Sequence, residues 1–153
     1  MSRIGVVHVL VDAHNVLHHD PVLHELMHEP EQARREMELL LAGRQHTLLF
    51  YDGGAGGEVR TTHRHGLAID YAGTGEADDR IISWLKTNHG RRAVVVTDDA
   101  ELRRRVRTLG AAVADARGFL AGLRKDRDPR ENRGPLSPAE VDDWMRIFGL
   151  DQS

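Results

Sequence analysis

Residues 4–15 read Ile4-Gly5-Val6-Val7-His8-Val9-Leu10-Val11-Asp12-Ala13-His14-Asn15. From Ile4 to Val11 the run is rich in β-branched residues and, His8 apart, continuously apolar rather than alternating. That pattern predicts a strand buried on both faces, as in a parallel sheet covered by helices. The strand ends at Asp12, and a carboxylate there needs a partner or a cation. Outward from it, Thr47–Tyr51, Leu67–Tyr71, Ala93–Val96 and Ala111–Ala114 read as further strands. Glu31–Ala42, Ala77–His89 and Ala100–Leu109 have helical spacing, the last with Leu102, Val106 and Leu109 at i, i+4 and i+7. Alternating strands and helices predict an α/β fold, a three-layer sandwich with a mainly parallel central sheet.

The chain has 153 residues, enough for one self-sufficient domain. The pattern divides it into a body at 1–125, an Arg-, Asp- and Pro-rich linker at 126–136 and an amphipathic helix at 137–149. In that helix Ser137 is the N-cap, Pro138 sits at N1 and Glu140 at N3, and Val141, Trp144, Met145 and Phe148 form one apolar stripe ended by Gly149. The stripe is expected to dock on the same domain.

With 21 Lys+Arg against 24 Asp+Glu the net charge is -3, which excludes nucleic-acid binding by bulk positive charge. The charges segregate, however. Arg91 to Gly134 carries 12 basic and 7 acidic residues, the remainder 9 and 17. The absence of cysteine removes disulfides, thiolate nucleophiles, Fe–S clusters and Cys-based zinc sites, so any metal must be held by oxygen or imidazole. No apolar run approaches the ~18 residues of a membrane span. The reading is a cytoplasmic protein with no membrane partner.

The strongest chemical signal is acidic. The strands end in Asp12, in Asp52 and in Thr97-Asp98-Asp99, so carboxylates gather at one sheet edge, where α/β folds bind ligands. Asp78 lies three, four and seven residues before Ile81, Ile82 and Leu85 and should point towards that edge. Three carboxylates about 6 Å apart repel by roughly 3 kcal/mol per pair at an effective dielectric near 20, which calls for a cation. Oxygen-only ligands suit Mg²⁺ or Mn²⁺. Local roles compete at each position: Asp98 with Glu101 makes a capping box, Asp78 and Asp79 suit a helix N-terminus, and Asp52 before Gly53 can start a turn.

Four segments in order, Val11-Asp12-Ala13-His14-Asn15-Val16, Phe50-Tyr51-Asp52, Glu76-Ala77-Asp78-Asp79-Arg80-Ile81 and Val95-Val96-Thr97-Asp98-Asp99, resemble the motifs of YacP-like NYN-domain ribonucleases of the PIN-like superfamily. The resemblance runs from about Ile4 to Leu123. It implies a metal-dependent endoribonuclease whose acidic pocket, Asp12, Asp78 and Asp99, holds Mg²⁺ or Mn²⁺. Asn15 and Asp79 would share the catalytic role, with Asp52, Thr97, Asp98 and His14 as further candidates. The implied partner is RNA, single-stranded or ribosome-associated messenger RNA, acted on by a monomer or weak homodimer. Ala13-His14 stands where the family usually has Gly-Tyr, and Asp98 where it has Ser. A catalytically silent RNA-binding module and a DNA or flap nuclease of the same superfamily are the alternatives.

Arg103, Arg104, Arg105 and Arg107 share a helix with an apolar inner stripe, so they are expected to face solvent. With Arg117, Arg124 and Lys125 they would form a phosphate-binding rim. The glycines from Gly53 to Gly57 lack the Gly-Lys-Ser/Thr ending of a phosphate loop and read as a surface loop. His14/His18 and His24/His28 have i, i+4 spacing, but nothing fixes the pairs in register, and solvated histidines are the expectation.

Overall fold

The computed structural model describes residues 7–44, 46–54 and 57–126. Among these, six strands form one sheet: β1 (His8–Asp12), β2 (Thr47–Tyr51), β3 (Val59–Arg64), β4 (Leu67–Ala72), β5 (Ala93–Val96) and β6 (Ala112–Ala114). Their order is β3-β4-β2-β1-β5-β6, parallel throughout except for β3, which pairs antiparallel at the edge. The helices are α1 (Ala13–His19), α2 (Pro21–Glu25), α3 (Pro30–Leu41), α4 (Ala77–Thr87), α5 (Ala100–Thr108) and α6 (Ala116–Asp126), with a 3₁₀ turn at Leu26–His28.

The continuous apolarity of β1 has the predicted cause. Val11 packs into a core built by α1, α2, α3 and α6 on one face, whereas Leu10 packs into the core of α4 and α5 on the other. Ile81, Ile82 and Leu85 of α4 and Leu102 and Val106 of α5 are buried as their spacing predicts. Leu109 is not: α5 stops at Thr108, and Leu109 follows it 38% exposed.

Three buried carboxylates tie the layers together through arginine forks. Asp20 accepts from Arg124 of α6 at 2.7 and 2.6 Å. Glu38 of α3 accepts from Arg64 of β3 at 3.2 and 3.0 Å and from the Tyr51 hydroxyl at 2.6 Å. Asp70 of β4 accepts from Arg80 of α4 at 3.0 and 2.8 Å. Burial pushes the Asp20 and Glu38 carboxyls up, but the guanidinium hydrogen bonds outweigh it and hold both below the usual carboxylate range.

Several elements escape the sequence pattern for physical reasons. β3 (Val59-Arg60-Thr61-Thr62-His63-Arg64) is an exposed edge strand and carries no apolar alternation. The histidine-rich stretch folds into the short helices α1 and α2, the second capped by Asp20 and begun by Pro21. His18, His19, His24 and His28 are exposed, and His28 lies beyond α2, so the second pair shares no helix. α6 runs through Asp126, the expected first linker residue; the rest of the linker and the helix expected at 137–149 lie outside the described residues.

The topology locates a site. From β1 the chain moves outward through β2 to β4, then returns to lay β5 and β6 on the other side of β1. Strand order therefore reverses between β1 and β5, and the crevice beyond their carboxyl ends is where open α/β sheets bind ligands.

Candidate active site at the carboxyl edge of the sheet

Asp12 closes β1 at this reversal. Its Oδ2 accepts from the Thr97 hydroxyl at 3.0 Å, and the Asn15 backbone N–H also donates to it. Burial, reinforced by the charges of Asp52 and Asp78, pushes its pKa up to about 6 in spite of those two hydrogen bonds. Among the described residues no cation pairs with it.

Asp52, at the end of β2, bridges two helices. Its Oδ1 accepts from Ala77 N, the first amide of α4, at 2.6 Å, while Oδ2 lies 3.1 Å from His14 Nδ1 of α1. The N-cap residue of α4, Glu76, makes no side-chain cap, so Asp52 supplies the acceptor that this helix start lacks. The first turn of α4 then presents Glu76, Asp78 and Asp79, each with a carboxylate oxygen within 4.8 Å of the others. The charge of Asp78 and a hydrogen bond to it raise the pKa of exposed Glu76. Asp79 Oδ1 lies 3.8 Å from Arg105.

The β5–α5 loop completes the edge. Thr97 is fully buried; its hydroxyl donates to Asp12 and accepts from Asp99 N at 3.2 Å. Asp99 Oδ1 caps α5 by accepting from Leu102 N at 2.9 Å. The cap is thus Asp99 and not Asp98, because α5 begins at Ala100, one residue later than a capping box with Glu101 requires. Asp98 instead holds neighbours together: its N–H donates to Asn15 Oδ1 at 2.7 Å, and its Oδ2 accepts from Ala116 N of α6 at 3.3 Å.

The edge therefore brings together Asp12, His14, Asn15, Asp52, Asp78, Asp79, Thr97, Asp98 and Asp99 but gives them unequal work. Asp12, Asp78 and Asp99 do not form a mutual group within 4.8 Å; Glu76 joins Asp78 and Asp79 instead. Glu76 was missed although it opens the acidic run, because an N-cap glutamate reads as helix chemistry. The solvent-facing expectation for the arginines fails in part. Arg103 turns back, donating to the Thr97 carbonyl at 3.1 Å and lying 4.0 Å from Asp98, and Arg124 is committed to Asp20. Arg104, Arg107 and Arg117 are exposed. The hint for Arg103 was its place three residues before Val106, at the margin of the buried stripe.

A parallel α/β sandwich with carboxylates at the strand reversal is matched by family. The chain belongs to the YacP-like NYN domain family, whose model matches residues 9–139. The NYN domain falls within the PIN-like nuclease superfamily, and membership implies a nuclease acting on RNA. The fold is shared with the crystal structure of Rae1 (YacP) from Bacillus subtilis, at 21% identity and a TM-score of 0.63 over 82% of this chain and 78% of that one. A tryptophan-to-leucine mutant of the same protein gives 21% and 0.60 over 78% and 76%. No curated protein matches the chain.

Proposed function

We propose that this chain is a metal-dependent endoribonuclease that cleaves single-stranded RNA at the Asp12 pocket. One observation carries the reading: a carboxyl at the strand reversal, with a pKa pushed up to about 6, has two more carboxylates beside it and no cation of the chain's own among the described residues. The donor set fits a hard divalent ion, since the ligands grouped here are carboxylate oxygens, with the imidazole of His14 beside them. Asp12 and Asp78 would hold it, with Glu76, Asp79 and the second oxygen of Asp99 to complete the site. Mg²⁺ or Mn²⁺ bound there supplies Lewis acidity, lowering the pKa of water and offsetting charge on the scissile phosphate.

The chain's own residues orient this pocket. The Thr97 hydroxyl and Asn15 N–H fix the Asp12 carboxylate. Asn15 Oδ1 is committed to Asp98 N, which leaves its two amide donors for a phosphate oxygen. His14, half-exposed and steered by Asp52 through Nδ1, keeps Nε2 for the substrate. The test is incubation of the full chain with labelled single-stranded RNA and DNA in Mg²⁺, Mn²⁺ or EDTA, beside Asp12→Asn. RNA cleavage should require the metal and fall on the order of a hundredfold or more in the variant, about 2.7 kcal/mol of transition-state stabilisation. Full activity in EDTA or in Asp12→Asn overturns the proposal. RNA binding without cleavage in any condition makes the chain a silent binding module, and preferential cleavage of DNA makes it a DNA nuclease.

A further inference from the structure

Away from the acidic crevice, a second group of side chains is assembled at the β4–β3 end of the sheet. Tyr71 is stacked on Tyr51, with ring centroids 5.4 Å apart and planes 16° from parallel. The Tyr71 hydroxyl accepts from Arg64 at 2.6 Å, and Arg64 is itself forked onto buried Glu38, so the Tyr71 ring is held by both its neighbours. Over this ring lies the guanidinium of Arg60, 5.0 Å from the centroid. Arg60 is exposed, and among the described residues it meets no carboxylate. Arg64 also lies over the ring, 5.8 Å from the centroid, but it is engaged by Glu38, whereas a guanidinium in cation–π contact with no carboxylate partner keeps its N–H donors for an anion such as a phosphate.

The group borders the acidic edge from the other face of the sheet. Tyr51 and Tyr71 pack on the side of α1 and α3, whereas Asp12 is in phase with Leu10 and Phe50 on the side of α4 and α5. The two meet at the strand ends, where the His14 ring lies 6.2 Å from that of Tyr51. Register sets Arg60 opposite Tyr71, Tyr71 opposite Tyr51, and Asp12 opposite Phe50, the residue before Tyr51. Three strand spacings of about 4.8 Å separate Arg60 from Asp12, on the order of 14 Å. Between them runs the Asp52 loop, and Gly54 lies directly on Tyr71: a Cβ at Gly54 would stand 3.0 Å from the Tyr71 Cβ. Gly53 N-terminal to it supplies a carbonyl to Gly73 N at 2.8 Å, so the two described residues that follow Asp52 carry no side chain and let a backbone approach closely.

We propose that Arg60, stacked on Tyr71, is a phosphate-binding subsite for the single-stranded RNA backbone as it leaves the Asp12 pocket across Gly53 and Gly54. This rests on the RNA reading above. Both faces of the Tyr71 ring are engaged, by Tyr51 and by arginine, so the subsite grips phosphate and does not stack a base. Arg64, neutralised by Glu38, is a prop for the ring.

The experiment measures anisotropy of a fluorescent dinucleotide and a fluorescent dodecamer RNA on the full chain in EDTA, over a range of salt. Wild type, Arg60→Gln, Arg60→Lys and Tyr71→Phe are compared, and cleavage of the same dodecamer in Mn²⁺ is followed separately. Arg60→Gln should weaken the dodecamer several-fold and lower its salt slope by about 0.7, the single-strand value for one contact. The dinucleotide, which reaches only the pocket, should be unaffected. Tyr71→Phe keeps the ring and should bind as wild type, whereas Arg60→Lys should recover part of the affinity. Arg60→Gln that binds the dodecamer with unchanged affinity and slope overturns the subsite while leaving the nuclease reading intact. Wild type that binds but never cleaves overturns the nuclease reading and leaves the subsite standing, wild type that cleaves in Mn²⁺ but does not bind the dodecamer in EDTA overturns the subsite alone, and wild type that neither binds nor cleaves RNA overturns both.

Discussion

Glu38 and Asp12 are both carboxylates withdrawn from water, and the chain treats them in opposite ways. Glu38, with Asp20 and Asp70, lies in the body of the fold and meets an arginine fork. Asp12 lies at the sheet edge and receives only a hydroxyl and an amide, with Asp52 and Asp78 adding like charge beside it. In the first group the polypeptide completes its own electrostatics, and the carboxyls of Asp20 and Glu38 ionise more readily than usual. At the edge the balance is left open, and Asp12 ionises less readily. An acidic residue in the body meets its own counter-charge; the same residue type at the strand reversal is left without one among the described residues.

The contrast breaks most visibly if an arginine of the first group is removed. Arg124→Met leaves Asp20, which is fully buried, without its counter-charge, and breaking such a pair from one side typically costs about 3–5 kcal/mol. Urea unfolding should show a loss of that size, with most of it recovered in the double variant Arg124→Met with Asp20→Leu. A loss under about 1 kcal/mol would make the pair no different from a surface bridge.

The opposite sign is expected at Asp12. Its folded carboxyl titrates near pH 6 against an ordinary 3.8, so the folded state holds the proton more tightly than the unfolded chain. Metal-free stability should therefore fall as pH rises from about 4 to 6 and level off above, by on the order of 3 kcal/mol. Asp12→Asn removes the charge and keeps the shape. In EDTA it should melt higher than wild type at neutral pH, and the gain should vanish near pH 4. A variant that melts lower at neutral pH would show that the Asp12 carboxylate is stabilised in place and does not await a cation.

A smaller effect separates Asp99 from Asp98. Asp99→Ala removes the α5 cap and should cost about 1 kcal/mol, while Asp99→Asn, which can still accept from Leu102 N, should cost a few tenths at most. Thermal melts of the two variants test the assignment. Equal losses would mean that an acceptor on Asp99 is not what stabilises the start of α5.

Much of this was legible in the sequence, and what was not shares a cause. The continuous apolarity of β1 and the stripes of α4 and α5 fix which residues each layer buries, and Asp12, Asp52 and Thr97-Asp98-Asp99 follow their strands directly, so fold and site edge could be read from periodicity. β3 could not, because an exposed edge strand has no buried face to impose alternation. Nor could the division of labour among the aspartates: whether Asp98 or Asp99 caps α5 depends on a one-residue shift in the helix start, and Asp52 reaches Ala77 across 25 positions. The arginine forks on Asp20, Glu38 and Asp70 are equally non-local, which is why Arg124 read as part of a basic rim.

The arginines of α5 carry the smallest expected effect and a last test of the same division. Arg107 is exposed and has no partner among the described residues, Arg104 is paired with Glu101, and Arg103 is bound to the Thr97 carbonyl beside Asp98. With Arg105 3.8 Å from Asp79, only Arg107 of the four α5 arginines meets no partner among the described residues and has its full charge available to a phosphate. Arg107→Gln should lower the salt slope of single-stranded RNA binding by about 0.7 and leave the melting temperature nearly unchanged. Arg104→Gln should do less, since its charge is already partly offset. Arg103→Gln should instead lower thermal stability and disturb the loop that orients Asp12, so its cleavage rate should fall by more than its RNA affinity. If all three variants flatten the slope equally with no change in melting temperature, α5 presents one uniform solvated face, and the tie between Arg103 and the acidic edge has no energetic consequence.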